Sequence, residues 1–324
     1  MHCELPVEIW LKICRLACTD DGATARTLSA VSRQIRAATA EHHYRVVAVY
    51  GTRQALKLFR VQQRLPRARR IRHLYVYDPR NYASGLAVAA MPRTADEVAA
   101  MHGVLEHACA TVETLTVVSC TTRHTFAADH LQLDDLHFPH LAELTLRGCY
   151  SLPLRLKFAP NLVRLHIACD VLHSPFARLL PKFYPRLTHL RISRLEWSPH
   201  FNDVLETLCS TMGLRDRNGH MKDATDAAIH TDTPTGSSAR FILIEPGPGH
   251  WIGPEGRTIL ASTTERALLY RTLNDKTDRI TVLPQCPGHS KTSEAAHARA
   301  DWLDRINGGL GCWVSLNSEK AVCR

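Results

Sequence analysis

The side chains best suited to chemistry in this chain are its nineteen His and eleven Cys, together with one glycine-rich loop. A structural zinc site takes four ligands at close spacing. His137-Phe-Pro-His140 and Cys286-Pro-Gly-His289 offer two each, and Cys14 and Cys18 merely share a helix face. The loop Gly247-Pro248-Gly249-His250-Trp251-Ile252-Gly253, with Gly256-Arg257-Thr258 behind it, invites a phosphate-binding reading. A P-loop would need glycine where Trp251 stands and lysine where Arg257 stands. A dinucleotide loop would need glycine at Ile252. Backbone amides can close on a phosphate only where no side chain intervenes, so both readings fail by position. The segment reads as a surface loop. No G-x-S-x-G elbow occurs, and no nucleophile has a base at a telling distance in sequence. These absences predict a non-enzymatic protein with no cofactor and no metal.

Two further sets of residues were weighed. Arg60, Arg64, Arg67, Arg69, Arg70 and Arg72 form a basic cluster. Such a cluster can meet phosphates or serve as a nuclear signal. It lacks the interleaved aromatics that stack bases, so it reads as a solvated helix end and nucleic acid is not expected. The cysteines include no C-x-x-C pair, and their odd count is spread over all 324 residues. That pattern predicts reduced thiols used as small apolar residues.

Residues 4–39 must position whatever the first segment does. Pro6 suits a helix start, where its missing N–H costs nothing. Ile9, Ile13 and Leu16 follow at helical spacing, and Glu8 and Lys12 sit four apart in the favourable order. Asp20, Asp21 and Gly22 end this helix and can cap the next. A short second helix carries Leu28, and a third carries Val31, Ile35 and Ala38. Three helices of this size cannot hide all their apolar surface among themselves, so some of it must face something else.

Leu5-Pro6-x-Glu8-Ile9, then Ile13, then Leu28-x-x-Val31-Ser32-Arg33-x-Ile35-Arg36 resembles the F-box. The resemblance covers about an eighth of the chain. One departure is the polar stretch 19–27, where the family often has a Leu or aromatic pair. F-box proteins dock the Skp-type linker subunit of cullin–RING ubiquitin ligases. The resemblance implies that Leu5, Pro6, Ile9, Ile13, Leu28, Val31 and Ile35 dock that linker or support the docking.

Downstream, the pattern Leu-x-x-Leu-x-Leu recurs with aliphatic substitutes. It starts at Ile71, Val112, Leu141, Leu162 and Leu187, with steps of 41, 29, 21 and 25 residues. Alternation of this kind predicts short strands with one buried face. The last three steps fall within or beside the leucine-rich-repeat period of about 20–29 residues. The long first step leaves room for a helix through Val98, Met101 and Leu105, opened by a capping box at Thr94 and Glu97. Cys120 and Cys149 occupy the position where that repeat has Asn or Cys; Asp170 and Leu195 follow in the same place. Phe138-Pro139, Ala159-Pro160 and Tyr184-Pro185 lead into three of the strands. The region therefore resembles a degenerate leucine-rich-repeat solenoid.

The expected organisation is α/β: a three-helix F-box at residues 1–43, then a leucine-rich-repeat-like α/β solenoid at 44–212. The array would open with a strand at 45–50, a helix at 52–63 and a second strand at 71–76. A helix follows at 201–208. Residues 213–239 are polar and Gly/Thr/Asp-rich, and read as a flexible insertion. Residues 240–324 would continue and cap the array, with strands at 241–244 and 280–283, helices at 262–274 and 293–306, and Trp302 and Trp313 sealing its apolar edge. The net charge of +9 favours acidic partners. No secretory leader and no membrane span is read, which predicts a cytosolic or nuclear protein. Together these expectations point to a substrate-recruiting adaptor of a ubiquitin ligase, holding the Skp-type linker at one end and a protein substrate on the array. The alternative is a repeat scaffold uncoupled from ubiquitin.

Overall fold

The computed structural model describes residues 6–40, 42–78, 94–119, 133, 135–148, 158–168, 174–195, 207–208, 210, 241–246, 250–252, 258–260, 280–283 and 291–313. The chain divides into two units: Met1–Leu141 with Lys291–Val314, and Ala142–Ser290 with Ser315–Arg324. Both are α/β, with parallel strands. The expected insertion at 213–239, the helix at 262–274, most of the helix at 201–208, and Cys120, Cys149 and Asp170 lie outside the described residues.

The first unit opens with three short helices, α1 (Val7–Ala17), α2 (Ala23–Ser29) and α3 (Arg33–Thr39). Asp20 sets the start of α2: its carboxylate accepts from the Gly22 and Thr24 amides and from the Thr24 hydroxyl, at 3.1, 2.9 and 2.7 Å. Gly22 turns the chain in the left-handed region at φ +87°, where a side chain would be strained. Ser32 caps α3 by accepting the Ile35 amide at 3.1 Å. This start corrects one expectation. Because the cap begins the helix at Arg33, Val31 lies in the preceding turn and not on α3.

A β-α-β-α-β run follows: β1 (Val46–Tyr50), α4 (Gly51–Arg64), β2 (His73–Asp78), α5 (Ala95–Ala108) and β3 (Thr114–Ser119). The strands pair in the order β1-β2-β3, with Val47, Leu74 and Leu115 in one rung and Val49, Val76 and Val117 in another. The expected capping box opens α5. Thr94 Oγ1 accepts the Glu97 amide and Glu97 Oε2 accepts the Thr94 amide, at 3.3 and 3.0 Å. Helices α4 and α5 pack closely where Phe59 lies against Gly103 and stacks on His107, ring centroids 5.3 Å apart.

The helix α7 (Lys291–Ile306) belongs to this same unit. It packs on β2 and β3, burying Ala298 and Trp302 against Val46, Tyr75 and Val118. These positions alternate with Leu74, Val76, Leu115 and Val117, which are buried as well, so both faces of this sheet are covered. Trp302 thus lies over the face of the strands, 5.5 Å from the Tyr75 ring. Tyr75 donates its hydroxyl to the Ala295 carbonyl at 2.9 Å. Past α7, Gly308 adopts φ +88°. The Gly309 amide returns to Asp304 O at 2.8 Å and the Gly308 amide to Arg305 O at 3.1 Å, the double bond of a Schellman close.

The second unit carries β4 (Glu143–Arg147), β5 (Arg164–Ala168), α6 (Ser174–Phe183), β6 (His189–Leu195), β7 (Phe241–Pro246) and β10 (Ile280–Val282). A short antiparallel pair, β8 (His250–Ile252) and β9 (Thr258–Leu260), occupies part of the glycine-rich loop. The parallel ladder keeps the aliphatic positions level: Leu144, Leu165, Leu190 and Ile242, then Leu146, Ile167, Ile192 and Ile244. Every aliphatic position of the five motif copies is buried. The lead-ins repeat as geometry too. Leu141, Leu162 and Leu187 each return their amide to the carbonyl of Phe138, Ala159 and Tyr184, three residues back. Proline at the second position of each turn holds φ near the value such a turn needs. Among the described residues, no helix is long and apolar enough to cross a membrane.

Candidate functional site

The three N-terminal helices sort their side chains by size in an unusual way. The residues they bury are small: Cys14, Cys18, Ala25, Ala38 and Thr39. The large aliphatics stay outside. Ile9 and Ile13 are 43% and 40% exposed, flanked by exposed Val7, Leu11 and Leu16, and Val31 reaches 64%. The cause is rotational. The face of α1 turned inward runs through partly buried Trp10 and Cys14, one position round from the stripe that Ile9, Ile13 and Leu16 make. Close approach of α3 to α1 needs small residues at the contact, and the larger ones are displaced to the rim. Leu28 and Ile35 are half-buried, Pro6 is exposed at the cap of α1, and Leu5 lies outside the described residues. The fold therefore gathers Pro6, Ile9, Ile13, Leu28, Val31 and Ile35 within one helical module.

Burial pushes the Cys14 thiol up, and it raises Cys18 to about 11 with help from neighbouring Cys14 and Asp20. Both stay protonated at neutral pH, so neither is a ready nucleophile or metal ligand. Cys109 and Cys312 are likewise free thiols. His137 and His140 are exposed, and Cys286 and His289 lie outside the described residues. Among the described residues, no group of three or more His, Cys, Asp or Glu is placed to hold a metal.

The second unit holds a polar network on the alternate face of its strands. His166 Nε2 lies 3.0 Å from Ser193 Oγ, and Ser193 donates to Glu245 Oε2 at 2.8 Å. Arg191 binds both, donating through Nε to Ser193 Oγ at 3.0 Å and through Nη2 to Glu245 Oε2 at 2.6 Å. Histidine, serine and a carboxylate together suggest nucleophilic catalysis, but the wiring excludes it. The serine proton goes to the carboxylate, so His166 must donate its Nε2–H to Ser193. Ser193 Oγ then accepts from His166 and from Arg191, and no lone pair remains for attack. A catalytic base would take that proton instead. Complete burial, with Arg191 and Arg147 nearby, holds His166 far below the usual histidine range and keeps it neutral. The network ties β5, β6 and β7 together.

Sequence reading missed this network because it followed the aliphatic positions of each motif. The signal lay in the positions between them. Those beside the buried leucines include Arg164, His166, Arg191, Ser193 and Glu245, where a solvent-facing strand would suit any polar residue. No family model matches the chain, and no curated protein matches it.

Proposed function

We propose that the protein is a substrate-recruiting adaptor of a cullin–RING ubiquitin ligase. The N-terminal helices dock the Skp-type linker, and the parallel-strand region, read as a leucine-rich-repeat-like solenoid, presents a surface to a protein substrate. The observation that carries this reading is the stripe of large aliphatics left uncovered on α1, with Val31 beside α3. Burying each such side chain contributes about 1.5–3 kcal/mol. Four or five of them can outweigh an association cost of roughly 4–15 kcal/mol. The adaptor performs no chemistry; it raises the effective concentration of its substrate beside the charged enzyme.

The test is co-purification of the full chain with the linker, comparing wild type with Ile9→Glu/Ile13→Glu. Both side chains face outward, so the variant keeps its fold. The expected result is at least a tenfold loss of recovered linker. Equal recovery would sink the docking assignment and leave a repeat scaffold uncoupled from ubiquitin.

A further inference from the structure

At the edge of the first unit where its strands begin, three chain positions are held side by side. The Arg72 and His73 amides bond the Arg45 carbonyl at 2.9 and 3.0 Å, and the Glu113 and Thr114 amides bond the Arg72 carbonyl at 2.7 and 3.1 Å. Residues 45, 72 and 113 therefore stand on neighbouring strands, about 4.8 Å apart. Arg72 pairs with Glu113 at 3.1 Å across this edge. Arg45 stands at the outer position, beside β1, and makes no ion pair among the described residues. Its other neighbour is Arg15 of α1, close enough for its charge to act on the Arg45 guanidinium.

The edge thus reads Arg15, Arg45, Arg72, Glu113: three cations against one acid already engaged. Two independent groups register the excess. Burial, Arg72 and Arg15 lower the Arg45 proton affinity, while Glu113 opposes them most weakly. Burial, Arg45 and Arg72 push His73 down to about 4. A half-buried arginine held among like charges costs stability, and an incoming anion would relieve that cost. Arg15 also stands one turn from exposed Leu11, so the cations border the apolar stripe of α1. An apolar centre with a charged rim is the usual anatomy of a protein contact.

We propose that Arg45, flanked by Arg15 and Arg72, is a binding site for the carboxylates of an acidic protein segment. The guanidinium fork suits a carboxylate, which it can hold through two parallel N–H donors. This goes beyond the docking reading, and its test uses no linker, so either can fail without the other.

The experiment measures binding of a fluorescein-labelled hexaglutamate peptide to the full chain by anisotropy at 50 mM salt. Arg15→Gln/Arg45→Gln is compared with Arg53→Gln/Arg178→Gln, which removes the same charge from exposed arginines elsewhere. The first variant should weaken binding at least tenfold and the second less than twofold. A melting curve without peptide adds a second readout: Arg45→Gln alone should leave the midpoint unchanged or raise it, because no ion pair is lost. Equal weakening by both double variants, no binding to wild type, or a lowered midpoint for Arg45→Gln would each overturn the proposal.

Discussion

His73 begins β2 with its ring Nδ1 3.0 Å from Thr114 Oγ1. Burial and the neighbouring charges of Arg45 and Arg72 bring its titration down to about 4. In the unfolded chain the same ring takes a proton near the ordinary value of about 6.5. Below that pH the unfolded state binds the extra proton and the folded state does not. The stability His73 provides is therefore complete above about pH 6.5 and is lost as the pH falls towards 4. The full transit corresponds to roughly 3 kcal/mol, of which about 2 kcal/mol is gone by pH 5. Urea midpoints at pH 7 and pH 5 check this, with His73→Gln as reference; the wild type should lose more than the variant. An identical loss in both would assign the acid sensitivity to other groups. The same residue shows why such sites are hard to read in sequence. Nothing at position 73 announces burial, because the two arginines that matter come from 45, which is remote in the chain, and from 72, which any surface strand might carry.

At the scale of elements, the contact between α4 and α5 turns on Gly103. A Cβ there would collide with the Phe59 ring. Gly103→Ala should gain about 1 kcal/mol of helix propensity, yet overpacking of this kind costs about 1–3 kcal/mol. Net destabilisation is expected, and it should shrink in a Phe59→Leu background, where the ring is gone. A double-mutant cycle on the melting curve decides it, and an undiminished cost in that background would place the strain elsewhere. Much at this scale was legible. The strands lie where paired aliphatic positions recur, because a parallel ladder keeps identical positions level and buries them together. The capping box at Thr94 and Glu97 and the glycine close after α7 are local chemistry, readable within a few residues. What sequence could not reveal is which face of α1 turns inward. Ile9 and Ile13 announce an apolar face at helical spacing, but the packing selects the small residues Cys14, Ala25 and Ala38 instead. The Ser193 network was equally hidden, since its partners lie 27 and 52 residues away.

At the scale of the molecule, the first unit is assembled from two distant parts of the chain. Arg299 Nη2 reaches Asp21 Oδ2 at 2.6 Å, joining α7 to the turn before α2 across 278 residues. Partial exposure makes this bridge a modest contributor; the buried Trp302 and Ala298 contribute more. A chain ending at residue 290 should therefore lose hydrogen-exchange protection along β1, β2 and β3, because Val46, Tyr75 and Val118 would face water. Retained protection in that truncation would show the sheet to be self-sufficient without α7. The arrangement also fixes an order of events during synthesis. All of residues 142–290 are made between the two parts of the first unit. At roughly 5–20 residues per second the interval is about 8–30 s. Through that time the face of the strands around Tyr75 waits for Trp302, so the nascent chain carries an apolar surface that chaperones can engage. The first unit to be made is thus the later to be completed.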